Sequence, residues 1–381
     1  MSWSRQRRGL VAVLFVGVAV LCAAAGLAPA GRARIFDRNG VALDPQGDVA
    51  PHLVHAIART NPTRDVTLTI DAALQRFAQD AVAGHEAAAV AVVEVETGRI
   101  LALVSSPGSS SVDRTLGQTY PPASTFKLIT AVAGLEAGMA HADEHITCTG
   151  ERMVGTRVLR DMEVHGTIDF LEALQHSCNV YFWTIGDRVG IDRLAAVARD
   201  FGFGEPTGLD IGGDAAGTVP DSSRYGSSQK DRVQRTNAAI GSGDVKVTVV
   251  QLAMAYAALA NGGRLYAPQV VRGAPVLRRK LRASPATLSL VRKGMYRAVN
   301  SRGGTAVAAK RGVVKMLGKT GTSKSREPGV VEPHAWFAGF APAEHPTIAI
   351  VVMVEHGGVG GAVAAPIART IIDDYFTRVK R

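Results

Sequence analysis

Apolar and polar positions follow two rhythms along this chain. Small and β-branched residues run nearly unbroken from Ala88 to Val95 and from Arg99 to Ser105, joined at Glu96-Thr97-Gly98, which predicts a hairpin with a buried face. Three further strand-like runs lie near the other end: Val313 to Thr322, His334 to Phe340 and Thr347 to Glu355. Elsewhere the apolar positions recur at three and four. Asp71 caps a predicted helix from Ala72 to Ala83 with Leu74, Phe77, Ala78 and Ala81 on one face. Further helices are expected at Leu171 to Gln175, Asn179 to Val189, Asp192 to Asp200, Pro285 to Val299 and Pro366 to Val379. Val249 to Ala260 is apolar all round and ends at Asn261-Gly262-Gly263, a C-cap pattern. Ala140 to Gly166 reads as irregular and polar, and Gly212 to Asp231 as loop. Strands at both ends with helices between them argue for an α+β domain, an antiparallel sheet covered by helices.

The first seventy residues behave differently. Gly9 to Ala30 carry no charged side chain and follow Arg5, Arg7 and Arg8, so they are long enough to span a bilayer with the N-terminus in the cytoplasm. The competing reading is a cleaved signal peptide ending at Ala28-Pro29-Ala30. The long apolar core and the proline inside the cleavage site favour a retained anchor. Leu21 before Cys22 argues against a lipid anchor. Ile35 to Leu43 is expected to form a hairpin turning at Asn39-Gly40, and Pro45, Pro51 and Pro62 mark a linker. The division is therefore stub and membrane anchor over 1–30, short juxtamembrane linker over 31–70, and one domain over 71–381.

At 381 residues and 46% hydrophobic content the chain supports a substantial core and is not disordered. The net charge of +10 raises nucleic acid as a partner, but the cations are scattered with no aromatic-interleaved stripe. An anionic membrane surface or an acidic wall polymer is the simpler partner. Cys148 and Cys178 would lie where disulfides are permitted, yet no Cys-x-x-Cys or Cys/His cluster surrounds either one. No metal site and no cofactor are expected.

The chemistry is expected at Pro121-Pro122-Ala123-Ser124-Thr125-Phe126-Lys127, which opens an apolar helix. Ser124 and Lys127 are three apart and share a helix face. A hydroxyl attacks well only when a base takes its proton, and a shielded lysine is neutral often enough to do so. Two further pieces follow, Ser177-Cys178-Asn179 and Lys319-Thr320-Gly321-Thr322. On a strand edge, Gly321 would let a peptide backbone approach and pair. Lys319 would supply positive potential, and the Thr320 and Thr322 hydroxyls would hold a carboxylate.

Taken in order, Ser-x-x-Lys, Ser-x-Asn and Lys-Thr-Gly are the motif set of the penicillin-binding proteins and serine β-lactamases. The chain resembles that family, and most of all a class B penicillin-binding transpeptidase, which has no glycosyltransferase. The likeness continues through Arg34 to Gly40, Leu68 to Asp71, Gln251 to Tyr256 and His334 to Gly339. It departs in two places. The large pedestal of class B enzymes is nearly missing, and Ala123 stands where relatives usually have glycine.

The resemblance implies a five-stranded sheet beside an all-helical lobe with the active site between them. It implies Ser124 as the acylated nucleophile, Lys127 as its base, Ser177 as proton relay and Asn179 as the holder of Lys127 and of the substrate amide. Lys319, Thr320, Gly321 and Thr322 would bind substrate, and the N–H groups of Ser124 and Thr322 would hold the oxyanion. It places Cys178 against the core as a free thiol and leaves Gly303-Gly304-Thr305-Ala306 as supporting structure. The expected activity is peptidoglycan D,D-transpeptidation on a D-Ala-D-Ala stem peptide with an amine acceptor strand, inhibited by β-lactams. The enzyme would be single-pass in the bacterial cytoplasmic membrane, with its catalytic domain outside and with room for a glycan-polymerising partner. A D,D-carboxypeptidase differs only in its acceptor. A class D β-lactamase usually carries an apolar residue at the place of Asn179, and a β-lactam sensor needs a cytoplasmic output domain that the short stub cannot hold.

Overall fold

In a computed structural model of the chain, residues 34–43, 57, 64–107, 112–324 and 331–379 are described. The sheet has five strands: β1 (Ala88–Glu94), β2 (Ile100–Ser106), β3 (Leu317–Ser323), β4 (His334–Ala341) and β5 (Ile348–Val354). Every pairing is antiparallel and the spatial order is β3-β4-β5-β1-β2, so the two N-terminal strands close one side and β3 is left as an edge.

The apolar runs are continuous because both faces of the sheet are covered. Val90 and Val92 of β1 with Ile350 and Val352 of β5 face one core, while Ala89, Ala91, Val351 and Met353 face the other. The first core is roofed by helices α1 (Ala72–Val82) and, at the C-terminus, Ala364–Val379. Asp71 caps α1 as expected, its carboxylate accepting from Leu74 N at 2.8 Å.

The second core joins the sheet to the helical lobe. Its helices are α2 (Lys127–Glu136), α3 (Phe170–His176), α4 (Asn179–Val189), α5 (Ile191–Asp200), α6 (Gln229–Ala238), α7 (Val249–Ala260) and α8 (Pro285–Asn300); Ala364–Val379 is then α9. Every residue of α7 is buried, which explains its lack of a polar face. It lies between β1, β4 and β5 on one side and α8 on the other.

Three expectations need correcting. The strand expected from Val313 begins only at Leu317, because Val313 N–H donates to Asp373 and the Val314 carbonyl accepts from Arg369, both at 2.8 Å, tying them to α9. Ala140 to Gly166 contains two antiparallel ladders, Ile146–Cys148 with Gly166–Ile168 and Glu151–Val154 with Arg157–Arg160. These strands have three or four residues and are largely exposed, so they leave little alternation to read. The loop expected to Asp231 gives way at Gln229 to α6, a polar helix capped by Ser228, whose hydroxyl accepts from Asp231 N.

The described parts of the expected linker are built onto the domain. Ile35 and Phe36 pair in parallel with Val66 and Thr67, and Asn39-Gly40 forms the expected turn with a single bridge from Phe36 to Ala42. The Asp37 carboxylate accepts from Val41 N and from Ala72 N, linking this turn to α1. Among the described residues no helix is long and apolar enough to cross a membrane; the span expected over 9–30 lies outside them.

Candidate active site

Residues Ala123–Phe126 make one turn of 3-10 helix that runs directly into α2. Three hydrogen bonds help hold it: Thr125 Oγ1 donates to Pro122 O at 2.6 Å, Tyr256 OH of α7 donates to Thr125 O at 2.9 Å, and Ala123 N donates to Gly241 O at 2.9 Å. Ala123 has φ of +49°, the left-handed region where a Cβ is strained. The turn therefore does need a positive φ, and glycine is the residue suited to it. Ser124, next in line, is half-buried in the wall of a cleft of about 430 Å³.

Lys127 is fully buried beneath that cleft. Its ammonium donates to the Ser177 carbonyl, to Asn179 Oδ1 at 2.7 Å and to Ser177 Oγ at 3.2 Å, and lies 5.4 Å from the centre of the Phe182 ring. Among the described residues it makes no hydrogen bond to Ser124. Burial pushes its pKa down to about 8, against an opposing pull from the Asp161 carboxylate. A neutral amine keeps two donors, enough for the Ser177 carbonyl and Asn179, and gains a lone pair.

Ser177-Cys178-Asn179 lies in the expected turn between two helices. Ser177 caps the end of α3 in a left-handed conformation, φ +61°, and Asn179 is the first residue of α4. Asp161 fixes this start, its Oδ2 accepting from Asn179 N at 2.6 Å and Val180 N at 3.1 Å. With Oδ1 of Asn179 taken by Lys127, its amide NH₂ group is left for a ligand.

The third piece lies on the edge strand β3. Lys319 is buried, donates to Thr320 O at 3.2 Å, and is held well below the usual lysine range by burial and then by the charge of Lys127. Thr320 Oγ1 donates to Thr305 Oγ1 at 2.8 Å, and Thr322 Oγ1 accepts from Gly360 N at 3.3 Å. A Cβ on Gly321 would stand 3.0 Å from Pro122 O, 3.1 Å from Trp336 Cβ and 3.2 Å from Thr125 Cγ2. The glycine thus admits the Ser124 turn against the sheet, a reason beyond the substrate approach expected of it. His334, Trp336 and Phe337 are buried in β4.

The cleft walls hold Ser124, Ser177, Asn179, Thr320, Gly321 and Thr322 together, with Lys127 and Lys319 behind them. Gly303, Gly304 and Thr305, read as supporting structure, also line the cleft, as do Asp161, Glu163 and His165 from the polar stretch. No local pattern marks Asp161, Glu163 or His165, which the exposed ladders bring to the site.

Cys148 and Cys178 are both free and buried. With Asp161 and His165 they form a group whose ligand atoms all lie within 4.8 Å of one another, which the sequence spacing did not suggest. Cys148 Sγ is 3.4 Å from His165 Nδ1 and 3.7 Å from Asp161 Oδ2, and the last two atoms are 3.9 Å apart. A tetrahedral zinc ion with bonds of about 2.0 to 2.3 Å sets its ligand atoms about 3.4 to 3.8 Å apart. Two thiolates, an imidazole and a carboxylate are a zinc donor set, so the four residues fit that ion. Its place would be structural, behind Ser177 and Asn179.

Residues 88–373 match the family described as Penicillin binding protein transpeptidase domain. The peptidoglycan D,D-transpeptidase MrdA of Haemophilus influenzae is 30% identical over 83% of this chain and 56% of its own length. The peptidoglycan D,D-transpeptidase PbpA of Mycobacterium tuberculosis is 30% identical over 81% of this chain and 72% of its own. The chain thus spans little more than half of the Haemophilus relative. Among solved structures, Pseudomonas aeruginosa PBP2 in complex with WCK 5153 aligns with a TM-score of 0.77 at 27% identity, covering 90% of this chain and 96% of that one.

Proposed function

The chain belongs to the family of penicillin-binding transpeptidases, and from that premise we propose that it is a serine D,D-transpeptidase cross-linking peptidoglycan stem peptides. The observation that carries this reading is the contact of Lys127 with both Ser177 and Asn179 behind the Ser124 turn, opposite the β3 edge.

A D-Ala-D-Ala peptide lies along β3 as an added strand, its carboxylate on the Thr320 and Thr322 hydroxyls in the field of Lys319. Ser124 Oγ attacks the penultimate carbonyl while its proton passes to the lone pair of neutral Lys127. The N–H groups of Ser124 and Thr322 hold the oxyanion. As the C–N bond breaks, the proton moves through Ser177 to the departing D-Ala nitrogen. The acceptor amine then attacks the ester, the C–O bond to Ser124 breaks, and the surplus proton on nitrogen returns to Ser124. Asn179 holds Lys127 and the substrate amide throughout.

The same reading divides the chain into an anchor over 1–30, a short juxtamembrane segment over 31–70 and a transpeptidase domain over 71–381. It places that domain outside the bacterial cytoplasmic membrane, beside a separate glycan-polymerising partner. Membrane fractionation with N-terminal sequencing tests the anchor, and a soluble form beginning at Gly31 would establish cleavage instead.

The acyl-enzyme is tested by mass spectrometry after incubation with a penicillin. One adduct is expected on the peptide carrying Ser124 and none in Ser124→Ala. A full adduct in the alanine variant removes the assignment.

A further inference from the structure

Cys148 ends the short strand Ile146–Cys148, and Cys178 is the middle residue of the Ser177-Cys178-Asn179 turn. Packing brings their sulfur atoms within 4.8 Å of each other, and both are free and buried. A disulfide sets its sulfurs about 2.05 Å apart, so the gap to close is at most about 2.8 Å. Moving one cysteine to its next χ1 rotamer carries the sulfur about 3 Å. The size of the movement that joins the pair is therefore that of one side-chain rotation or a small shift of the turn.

One oxygen couples the pair to the catalytic turn. Asp161 Oδ2 lies 3.7 Å from Cys148 Sγ and accepts from Asn179 N at 2.6 Å and Val180 N at 3.1 Å. Cys178 Sγ accepts from Tyr181 N at 3.3 Å in the first turn of α4. Asn179 Oδ1 and both oxygens of Ser177 in turn accept from Lys127. A bond between the two sulfurs thus disturbs the start of α4 and, through it, the contacts that hold the Lys127 amine behind Ser124.

We propose that Cys148 and Cys178 are a modification site, joining in a reversible disulfide that slows acylation of Ser124. The inference rests on the transpeptidase reading, which puts this domain outside the cytoplasm, where disulfides form and persist. The oxidant is a low-molecular-weight disulfide. The Cys148 thiolate attacks one of its sulfurs and expels a first thiolate; the Cys178 thiolate then attacks Cys148 Sγ, forms the S–S bond and expels the second. Two electrons pass from the cysteine pair to the oxidant, and the two cysteine protons end on the two small thiols. Entry is through Cys148, whose strand forms only a two-stranded sheet with Gly166–Ile168, the kind of element that opens locally at little cost. His165, 3.4 Å from that sulfur, lines the cleft, so Cys148 lies just behind the cleft wall. A zinc ion on the same four residues uses both sulfurs, so the disulfide belongs to the metal-free protein.

The test uses the full chain in detergent, carrying Cys22→Ser so that Cys148 and Cys178 are its only thiols. It is stripped of metal with a chelator and incubated with oxidised or with reduced glutathione. In oxidised glutathione, mass spectrometry should find the peptides carrying Cys148 and Cys178 joined within one chain, two hydrogens lighter than their sum. Acylation by penicillin should then slow at least about tenfold, within what a displacement of about 1 Å costs a catalytic group. Reduced glutathione should restore the rate to within about twofold of its starting value. Adding Cys148→Ser should remove the joined peptides and make the rate the same in both glutathione forms, whatever that rate is. The absence of joined peptides overturns the proposal, as does a joined pair that acylates as fast as the reduced protein or an equal slowing in the Cys148→Ser chain. Reduced protein that takes up no penicillin overturns the transpeptidase reading instead, and the peptide masses still decide whether the disulfide forms.

Discussion

The ammonium of Lys127 reaches Oδ1 of Asn179 at 2.7 Å, tying the first turn of α2 to the first residue of α4. Burial holds this lysine at about 8, so its neutral fraction falls about tenfold for each pH unit below that value. Acylation of Ser124 should therefore rise with pH and level off above about 8. Lys127→Arg keeps the charge and removes the base, and should slow acylation by at least ~10²-fold. Rates of acylation by a fluorescent penicillin across pH check both; a flat profile would place the base elsewhere.

The nucleophile turn and the edge strand are fitted to each other, and two substitutions probe the fit. Ala123→Gly removes a Cβ from a residue at φ +49° and should stabilise the protein. The gain should be about 0.5 to 1 kcal/mol, since relief of strain exceeds the added flexibility of the unfolded chain. Gly321→Ala places a methyl 3.0 Å from Pro122 O and should cost about 1 to 3 kcal/mol through overpacking. It should also slow acylation by displacing the Ser124 turn. Thermal unfolding and acylation rates of the two variants measure these effects.

A penicilloyl ester on Ser124 should persist for many minutes, because the nearby acids are committed elsewhere. Asp161 caps α4, Glu172 belongs to the capping box of α3, Glu136 accepts from Ser284, and Asp113 accepts from Thr115 and Leu116. Glu163 lines the cleft but is exposed to solvent. Glu163→Gln should leave the release of hydrolysed penicillin unchanged. Turnover of several per second in the wild type would instead favour a β-lactamase.

Zinc should raise the unfolding temperature of metal-free protein, since an ion bound only in the folded state stabilises it by mass action. Cys178→Ser and His165→Ala should each abolish the rise, and elemental analysis should find about one zinc per chain in the wild type. Equal unfolding temperatures with and without zinc would show that the four residues are a hydrogen-bonded cluster and nothing more.

Much of this protein is legible in the chain alone. The sheet strands and α7 announce themselves as unbroken apolar runs because they are buried on every side, the other long helices by period because each buries a face against a large core, and α4 and α7 fall where the pattern puts them. Ser124, Lys127, Ser177, Asn179 and Lys319 to Thr322 are visible as three short motifs because their chemistry needs fixed residue types at short spacing. What the pattern could not decide depends on contacts across long separations. The exposed ladders between Ile146 and Ile168 bring Asp161 and His165 to the site, and no local period marks strands that bury almost nothing. The fit of Gly321 to Pro122, and of Cys148 to His165 beneath Cys178, is likewise settled only when distant segments pack. Spacing along the chain reports which side of its own element a residue occupies; what it meets there is decided by the packing of the other elements.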